Sequence, residues 1–463
     1  MKNTPHRLLL ALLLSLTTYA SNLSARPNFI YILADDLGYG DLGCYGQKTI
    51  KTPNLDRLAK EGMRFTRHYA GSTVCAPSRC VLLTGLHTGH ARIRGNGPGQ
   101  LKPTDLTFAR VLQENGYATG CFGKWGVGNP PPLNDPAVHG FDEFYGYVNM
   151  YHAHNYYPEW LVKNGKKVAL RNKTYADWKE KRFGAREGAG VAEKAVDYAP
   201  QLIADATLDF IRQNHKKPFL LYYALNIPHA NNEATRDDRA IGHGMRVPDW
   251  GKFKNRDWPA EEKGFAQMMQ YIDRDVGNII RLLKQLGIDE NTVVMFSSDN
   301  GPHQEGGHKM EYFNSNGSLK GMKRDLYEGG IRVPFIARWP GTITAGKNSA
   351  HISGFQDIFP TLCDLAGIKA PGTDGISLAP LLTGKGKQRK HPHLYWEFYE
   401  RGGRRAVVKG NLKAVQINMM RDPNAPIEVY DLSKDLGEEN NVASKHQSFI
   451  KEVKGIMKRE HRD

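Results

Sequence analysis

The chain has 463 residues, of which 40% are hydrophobic and 24% are charged, so it can bury a sizeable core. It contains neither a low-complexity tract nor a repeat of fixed period, which excludes a disordered scaffold and a solenoid. The formal net charge of +15 favours polyanions, but we find no run of five Lys or Arg and no nucleic-acid-binding motif, so we expect no nucleic acid as partner.

Residues 1–25 are predicted to be a signal peptide. Lys2 and Arg7 precede an apolar run over residues 8–16, and small residues follow at Ala20 and Ala25. The run is too short for a stable membrane anchor, and no later segment reaches 18 consecutive apolar residues. We therefore expect an exported protein, periplasmic or secreted, without stable membrane insertion.

Four apolar segments predict strands, and each ends in residues able to bind a metal, an anion or a proton. They are residues 28–33 before Ala34-Asp35-Asp36, 117–122 before Gly123-Lys124, 218–225 before Asn226-Ile227-Pro228-His229, and 292–296 before Ser297-Ser298-Asp299-Asn300. Strand-like segments that alternate with helix-like ones predict an α/β sheet sandwiched by helices. Ligands of such sheets collect beyond the carboxyl ends of the strands.

Two helices can be placed from local signals. Thr52-Pro53 supplies a cap residue and a proline at a first helical position. Apolar residues at three- and four-residue spacing from Phe265 to Leu283 predict a long amphipathic helix, with its stripe in the core.

The composition of the chain changes after Leu382. Residues 384–393 are basic and linker-like, residues 394–398 and 405–409 predict strands, and a charged helix is expected over about residues 444–458. We therefore predict a large catalytic domain over residues 26–385. A smaller C-terminal α+β subdomain, with a small antiparallel sheet and a terminal helix, should follow over residues 386–463.

The sharpest motif is Cys75-Ala76-Pro77-Ser78-Arg79, followed by Leu83-Thr84-Gly85. Pro77 and Ser78 can begin a helix, which would place Cys75 at a helix amino terminus, where an anion is favoured. The motif resembles the signature of the type I, formylglycine-dependent sulfatases, which are arylsulfatase-like members of the alkaline phosphatase superfamily. Further motifs in the family's order extend the resemblance from Pro27 to about Ala443: residues 34–38 (ADDLG), 123–125 (GKW), 228–230 (PHA), 299–301 (DNG) and 327–334 (YEGGIRVP).

The resemblance implies a mixed alkaline-phosphatase-like sheet and the hydrolysis of sulfate esters. A formylglycine-generating maturation enzyme would oxidise Cys75, and the hydrated aldehyde would attack sulfur. The family's metal is one Ca²⁺ per chain, a hard cation that prefers oxygen ligands. The implied ligands are Asp35, Asp36, the formylglycine at Cys75, Asp299 and Asn300.

Three cationic side chains, Arg79, Lys124 and Lys323, resemble the family's positive cluster around the nucleophile and the sulfate. Arg79 lies one helical turn after Cys75, on the same face. His229 resembles the family's sulfate-contacting histidine, which is also a candidate proton donor to the leaving oxygen.

The chain departs from the family at Gly126, because many relatives read GKWH and use that histidine on the formylglycine. We expect His303 to serve as the replacement base, with His308 as the second choice. Two alternatives stay open: the metal and the lysines activate the hydroxyl without a base, or His303 caps a turn or contacts the sugar.

A sulfated carbohydrate of the galactose type is the expected substrate. His152 and His154 lie in residues 151–157 (YHAHNYY), a composition that suits sugar binding and equally fits a packed loop. Weaker binding candidates are Arg94, Asn96, Trp396 and Arg404. The net charge agrees with a polyanionic substrate, and also with ordinary solubilising surface charge. The alternatives are a phosphonate or phosphodiester hydrolase of the same superfamily and a non-catalytic polyanion-binding relative.

Overall fold

The computed structural model describes residues 26–97, 99–128, 131–180, 186–237, 239–240 and 242–462. The predicted signal peptide lies outside the described residues. The strands are β1 (Asn28–Asp35), β2 (Met63–Phe65), β3 (His68–Tyr69), β4 (Ala118–Lys124), β5 (Glu143–Tyr147), β6 (Trp160–Lys163), β7 (Lys166–Ala169), β8 (Lys173–Thr174), β9 (Ala192–Lys194), β10 (Phe219–Pro228), β11 (Thr292–Ser298), β12 (Phe335–Arg338), β13 (Lys347–Ser349), β14 (Ser353–Gly354), β15 (Leu394–Phe398), β16 (Arg404–Lys409), β17 (Leu412–Ile417) and β18 (Ile427–Asp431). The α-helices are α1 (Pro53–Glu61), α2 (Cys75–Thr84), α3 (Phe108–Glu114), α4 (Asp135–Val138), α5 (Ala176–Glu180), α6 (Ala199–Asn214), α7 (Ala260–Gln285), α8 (Glu328–Ile331), α9 (Ile358–Leu365), α10 (Ala379–Thr383) and α11 (Gln447–Arg459).

A ten-stranded mixed sheet forms the centre, in the order β13-β2-β12-β11-β1-β10-β4-β5-β6-β7. β1 pairs in parallel with both β10 and β11, and β4 continues the parallel part on the far side of β10. β12 and β2 add to one side in antiparallel pairing, and β6 and β7 add to the other. The four predicted strands are therefore neighbours, and their carboxyl ends meet at one edge of the sheet.

Helices cover both faces of the central sheet. Ile30 and Ile32 of β1 belong to the cluster that includes α6 and α7, whereas Tyr31 and Leu33 belong to the opposite cluster with α2, α3 and α9. All eight residues of β1 are buried, as a parallel strand covered on both faces requires. This confirms the predicted α/β sheet sandwiched by helices.

Both helices predicted from local signals are present. α1 begins at Pro53, although the Thr52 hydroxyl makes no capping bond and instead contacts Asp56 at 3.2 Å. α7 spans 26 residues, and its apolar stripe packs in the core beneath β10.

A second, four-stranded antiparallel sheet, in the order β15-β16-β17-β18, lies near the C-terminus. One of its faces packs on α11, and the other packs on Tyr69, Val74 and Ile331. The predicted strands became β15 and β16, while β17 and β18 were missed. The domain boundary at residues 385/386 stays a prediction. None of the helices in the described residues is long and apolar enough to cross a membrane.

Candidate active site

Two acidic motifs, 263 residues apart, meet at the carboxyl edge of the sheet. Asp35 ends β1, and Asp36 follows in the left-handed region with φ of 64°. The Asp36 N–H donates to Asp299 Oδ1 at 3.0 Å, and Asn300 Nδ2 donates to Asp36 Oδ1 at 2.7 Å. The strand ends therefore unite the four predicted oxygen-bearing side chains in one cluster.

Cys75 is the first residue of α2, as predicted, and its side chain points at this cluster. Its thiol donates to Asp35 Oδ1 at 3.3 Å, and Lys124 Nζ lies 3.2 Å from Cys75 Sγ. Asn96 Oδ1 accepts from the Ala76 N–H at 3.1 Å, in the first turn of α2. Burial and the Asp35 carboxylate raise the pKa of the Cys75 thiol well above its usual value. The unmodified thiol is therefore a weak nucleophile.

Two cationic side chains, those of Lys124 and Arg79, bond to the carboxylates of the cluster. Lys124 Nζ donates to Asp35 Oδ2 at 2.7 Å, and Arg79 Nε donates to Asp299 Oδ2 at 3.0 Å. Arg79 also donates to the backbone carbonyl of Lys124 at 2.6 Å, which fixes the guanidinium group against the end of β4. Burial opposes the charged form of Asp35, but Lys124 and Arg79 hold the pKa of its carboxyl well below the usual value.

The cluster fits a hard divalent cation. Potential ligand atoms of Asp35, Asp36, Cys75 and His229 all lie within 4.8 Å of one another. Asn300 Oδ1 is buried and has no hydrogen-bond partner among the described residues, so it is available as a ligand. Burial and the Asp35 charge raise the pKa of Asp299 to about 7, as expected where carboxylates crowd together away from water. His229 was not among the predicted metal ligands.

Lys323 connects the acidic cluster to His229. Its Nζ lies 2.8 Å from Asp36 Oδ2 and 3.0 Å from His229 Nε2. An ammonium only donates and a carbonyl only accepts, so His229 Nδ1 carries the proton toward the Ala230 carbonyl and His229 Nε2 accepts from Lys323. Burial and the Lys323 charge hold the pKa of His229 well below its usual value. The imidazole is therefore neutral.

Glu305 is a charged group of the site that the sequence analysis missed. It accepts from Lys323 Nζ at 2.7 Å and from Arg324 at 2.7 Å. Burial opposes its charge, but Lys323 and Arg324 hold the pKa of Glu305 well below the usual value. A lone Glu seven residues after the end of β11 carries no sequence signal, since only the fold brings Lys323 to it.

His303 does not have the geometry of the expected base. Its Nδ1 accepts from the Glu305 N–H at 3.0 Å, so its Nε2 carries the proton and donates to the Pro228 carbonyl at 3.0 Å. Neither ring nitrogen is left to take a proton, which favours the alternative in which His303 holds the turn. His308, the second choice, bonds Glu262 at 2.6 Å and stacks on Phe265.

Gly126 occupies a space that a side chain could not enter without rearrangement. Its φ is 65°, and a Cβ there would lie 3.0 Å from Arg79 Cδ and 3.3 Å from two Lys124 carbons. A histidine at position 126 would therefore require the side chains of Arg79 and Lys124, which pack against Gly126, to move.

A cleft of about 310 Å³ opens above Cys75. It is lined by two of the predicted binding residues, Asn96 and His154, together with His229 and Lys323. Arg324 and Glu400, which were not predicted as site residues, also line the cleft. A second cavity, of about 900 Å³, shares Gly97 and Glu400 with this cleft.

The other four predicted binding residues do not line the cleft. His152 is buried against Trp160, and Trp396 is buried in the C-terminal sheet, where its Nε1 donates to the Ala70 carbonyl. These two are corrected to packing residues, because aromatic residues serve a core as well as a sugar site. Two more are occupied by protein partners: Arg94 pairs with Glu397 at 2.8 Å and lines the second cavity, while Arg404 pairs with Asp325.

Comparisons with known proteins agree with this geometry. The chain matches the model of the Sulfatase family over residues 27–368, and that of the family described as N-sulphoglucosamine sulphohydrolase, C-terminal, over residues 321–463. It is 34% identical to N-acetylgalactosamine-6-sulfatase of Rattus norvegicus, over 88% of this chain and 75% of that protein. It is 32% identical to arylsulfatase A of Homo sapiens, over 95% of this chain and 86% of that protein.

Solved structures give the same result. The crystal structure of Ps i-CgsB in complex with k-i-k-neocarrahexaose superposes with a TM-score of 0.75 at 28% identity, over 94% of this chain and 93% of that one. The family's chemistry needs an acidic cation site beside a signature cysteine, and Asp35, Asp36 and Cys75 supply that arrangement here. The chain belongs to the sulfatase family and is a sulfuric ester hydrolase.

Proposed function

We propose that the chain is an exported sulfatase that removes sulfate from carbohydrates of the galactose type, using one Ca²⁺ and a formylglycine made from Cys75. The position of Cys75 carries the proposal, because its side chain contacts Lys124 and Asp35 and lines the same cleft as Lys323. The similarity to N-acetylgalactosamine-6-sulfatase supports a galactose-type sugar. The alternatives are a phosphonate or phosphodiester hydrolase and a non-catalytic polyanion-binding protein.

Each group near residue 75 has a defined task in this proposal. The acidic cluster would hold the cation, whose charge would lower the pKa of the nucleophilic hydroxyl and neutralise sulfate oxygens. Lys124, held by Asp35, donates a hydrogen bond to the oxygen that replaces Sγ. Arg79 fixes Asp299 and the Lys124 backbone, so that the site is preorganised.

The far side of the cleft binds the sulfate and the sugar. Lys323 and His229 are placed to contact the sulfate oxygens, since both reach Asp36 at the cluster. Asn96, His154 and Glu400 would offer polar contacts to the sugar hydroxyls. A formylglycine-generating enzyme is the proposed maturation partner.

A panel of defined sulfated mono- and oligosaccharides tests the proposal, with released sulfate as the readout. The exported protein is produced together with the maturation enzyme, and the Cys75→Ala variant is the control. Sulfate release from a galactose-type sugar by the parent protein alone supports the proposal. Faster cleavage of an aryl phosphodiester would favour the phosphodiesterase, and binding of sulfated sugars without turnover would favour the non-catalytic relative.

A further inference from the structure

His154 and Glu233 form a buried pair in the wall of the cleft. His154 ends a short 3-10 helix, and its Nδ1 lies 3.1 Å from Glu233 Oε2. Both residues are only 6% exposed. A carboxylate accepts hydrogen bonds and does not donate them, so Nδ1 of His154 carries a proton. The pair thus has the arrangement in which a carboxylate fixes the tautomer and the orientation of a histidine.

The turn that carries Glu233 is held by the side chain of Asn231. The N–H groups of Glu233 and Ala234 donate to Asn231 Oδ1, at 3.2 and 3.3 Å. Asn231 Nδ2 in turn donates to the Gly190 carbonyl at 2.9 Å. The carboxylate therefore approaches His154 from a defined position.

The open nitrogen of His154 faces the cleft. Its ring stacks on His229, with centroids 4.7 Å apart and planes at 15°, and both rings line the cleft with Cys75. Tyr151 contacts the His154 ring edge-on at 5.7 Å. Within the described part of the chain, the one hydrogen bond found for the His154 ring is that of Nδ1 to Glu233. Nε2 therefore remains available to a ligand.

His229 differs in this respect. Its Nδ1 is bonded to the Ala230 carbonyl and its Nε2 accepts from Lys323, so both of its ring nitrogens are occupied. His154 has a carboxylate at the corresponding distance instead.

We infer that His154 is the general acid of the reaction, with Glu233 as its positioning residue. This inference rests on the proposed sugar sulfatase activity. When the bond between sulfur and the sugar oxygen breaks, its electron pair stays on that oxygen, and the proton on His154 Nε2 moves to it. His154 becomes neutral, Glu233 stays a carboxylate, and solvent entering the cleft returns the proton after the alcohol leaves.

The test compares leaving groups of different basicity. An alkoxide needs protonation, whereas an activated phenolate leaves without it. In the matured protein, His154→Gln should lower kcat for a sugar sulfate by about 10²–10⁴-fold, the usual size of a general-acid effect. Turnover of an activated aryl sulfate should change little. Glu233→Gln should show the same pattern with a smaller loss, and in a series of aryl sulfates both variants should depend more steeply on leaving-group pKa.

His152→Gln is the matched control, since His152 is two residues away and does not line the cleft. Equal losses on both substrate classes, or a change confined to KM, would make His154 a binding residue and overturn the inference. If His154→Gln does not fold, His154→Asn and Glu233→Gln provide the same comparison. Failure of the proposed function is distinguishable, because the parent protein would then not act on any sugar sulfate.

Discussion

The ammonium nitrogen of Lys124 lies 3.2 Å from Cys75 Sγ, and it also donates to Asp35 Oδ2 at 2.7 Å. One cation thus contacts both the nucleophile position and a metal-ligand carboxylate. Burial lowers the pKa of Lys124, but Asp35 more than compensates, so the net shift is upward and the side chain stays charged.

Lys124→Met should lower kcat by about 10²–10³-fold on aryl and sugar sulfates alike, the size seen when one preorganised donor is removed. The reason is that its hydrogen bond acts on the nucleophile, which both substrates share. Steady-state kinetics measures the effect, with metal content determined in parallel. Lys163→Met, at an exposed strand end, is the control. An unchanged kcat would place Lys124 outside the reaction.

Asn300→Ala should weaken Ca²⁺ binding by more than the roughly 10–100-fold typical of changes around a metal site. The physical reason is the loss of Asn300 Oδ1, a buried oxygen without a protein partner. Isothermal titration calorimetry of the EDTA-treated protein gives the affinity. In addition, the rise in Tm that Ca²⁺ causes should shrink in the variant. Equal Ca²⁺ affinity in both proteins would exclude Asn300 as a ligand.

Lys323→Met should reduce turnover of aryl and sugar sulfates to a similar extent. Lys323 joins Asp36, His229 and Glu305, so its loss removes a sulfate contact that does not depend on the leaving group. The ratio of the two kcat/KM losses is the measurement. A loss much larger on the sugar sulfate would make Lys323 the proton donor, in place of His154.

His303→Gln should cost stability and leave the chemistry intact. Both ring nitrogens of His303 bond to the backbone, so the substitution should lower the free energy of unfolding by about 1–3 kcal/mol. Urea unfolding measures this loss. Accumulation of a sulfated peptide containing residue 75, detected by mass spectrometry during turnover, would restore the base role expected from the sequence.

His152 should make the protein less stable in acid. Burial lowers its pKa from 6.5 to about 3, so the folded state keeps the ring neutral while the unfolded chain takes up a proton. The free energy of unfolding therefore falls as the pH drops from about 6.5 towards 3. His152→Phe, which keeps an aromatic ring against Trp160, should flatten this slope in urea unfolding between pH 7.5 and about 5. His215→Gln, at the half-buried end of α6, is the control.

The central sheet and the cluster of acidic side chains at its edge could be predicted because their signals are local. β1 and β11 are apolar segments that end in acidic residues, and the rule that parallel strand ends share an edge brings Asp35 and Asp299 together. Cys75 was placed at a helix start because Pro77 and Ser78 mark one. In each case the chemistry lies within a few residues of the element that positions it.

The rest depended on contacts between distant segments. Glu305 matters only because the fold brings Lys323 to it, and the role of His303 is decided by two backbone groups. Trp396 was a weaker candidate for substrate binding, but the packing of the C-terminal sheet buries it. Sequence patterns predict the polarity of a face and not which partner covers it.

The burial of Cys75 dictates an order of events. Cys75 is 1% exposed. Strands β15 and β16 pack against the segment that precedes Cys75, and Trp396 of β15 donates a hydrogen bond to the Ala70 carbonyl. Those strands follow Cys75 by more than 300 residues in the chain. Under the proposed maturation, the modifying enzyme would act on Cys75 before these strands pack, so the chemical identity of residue 75 would be decided before the fold is complete.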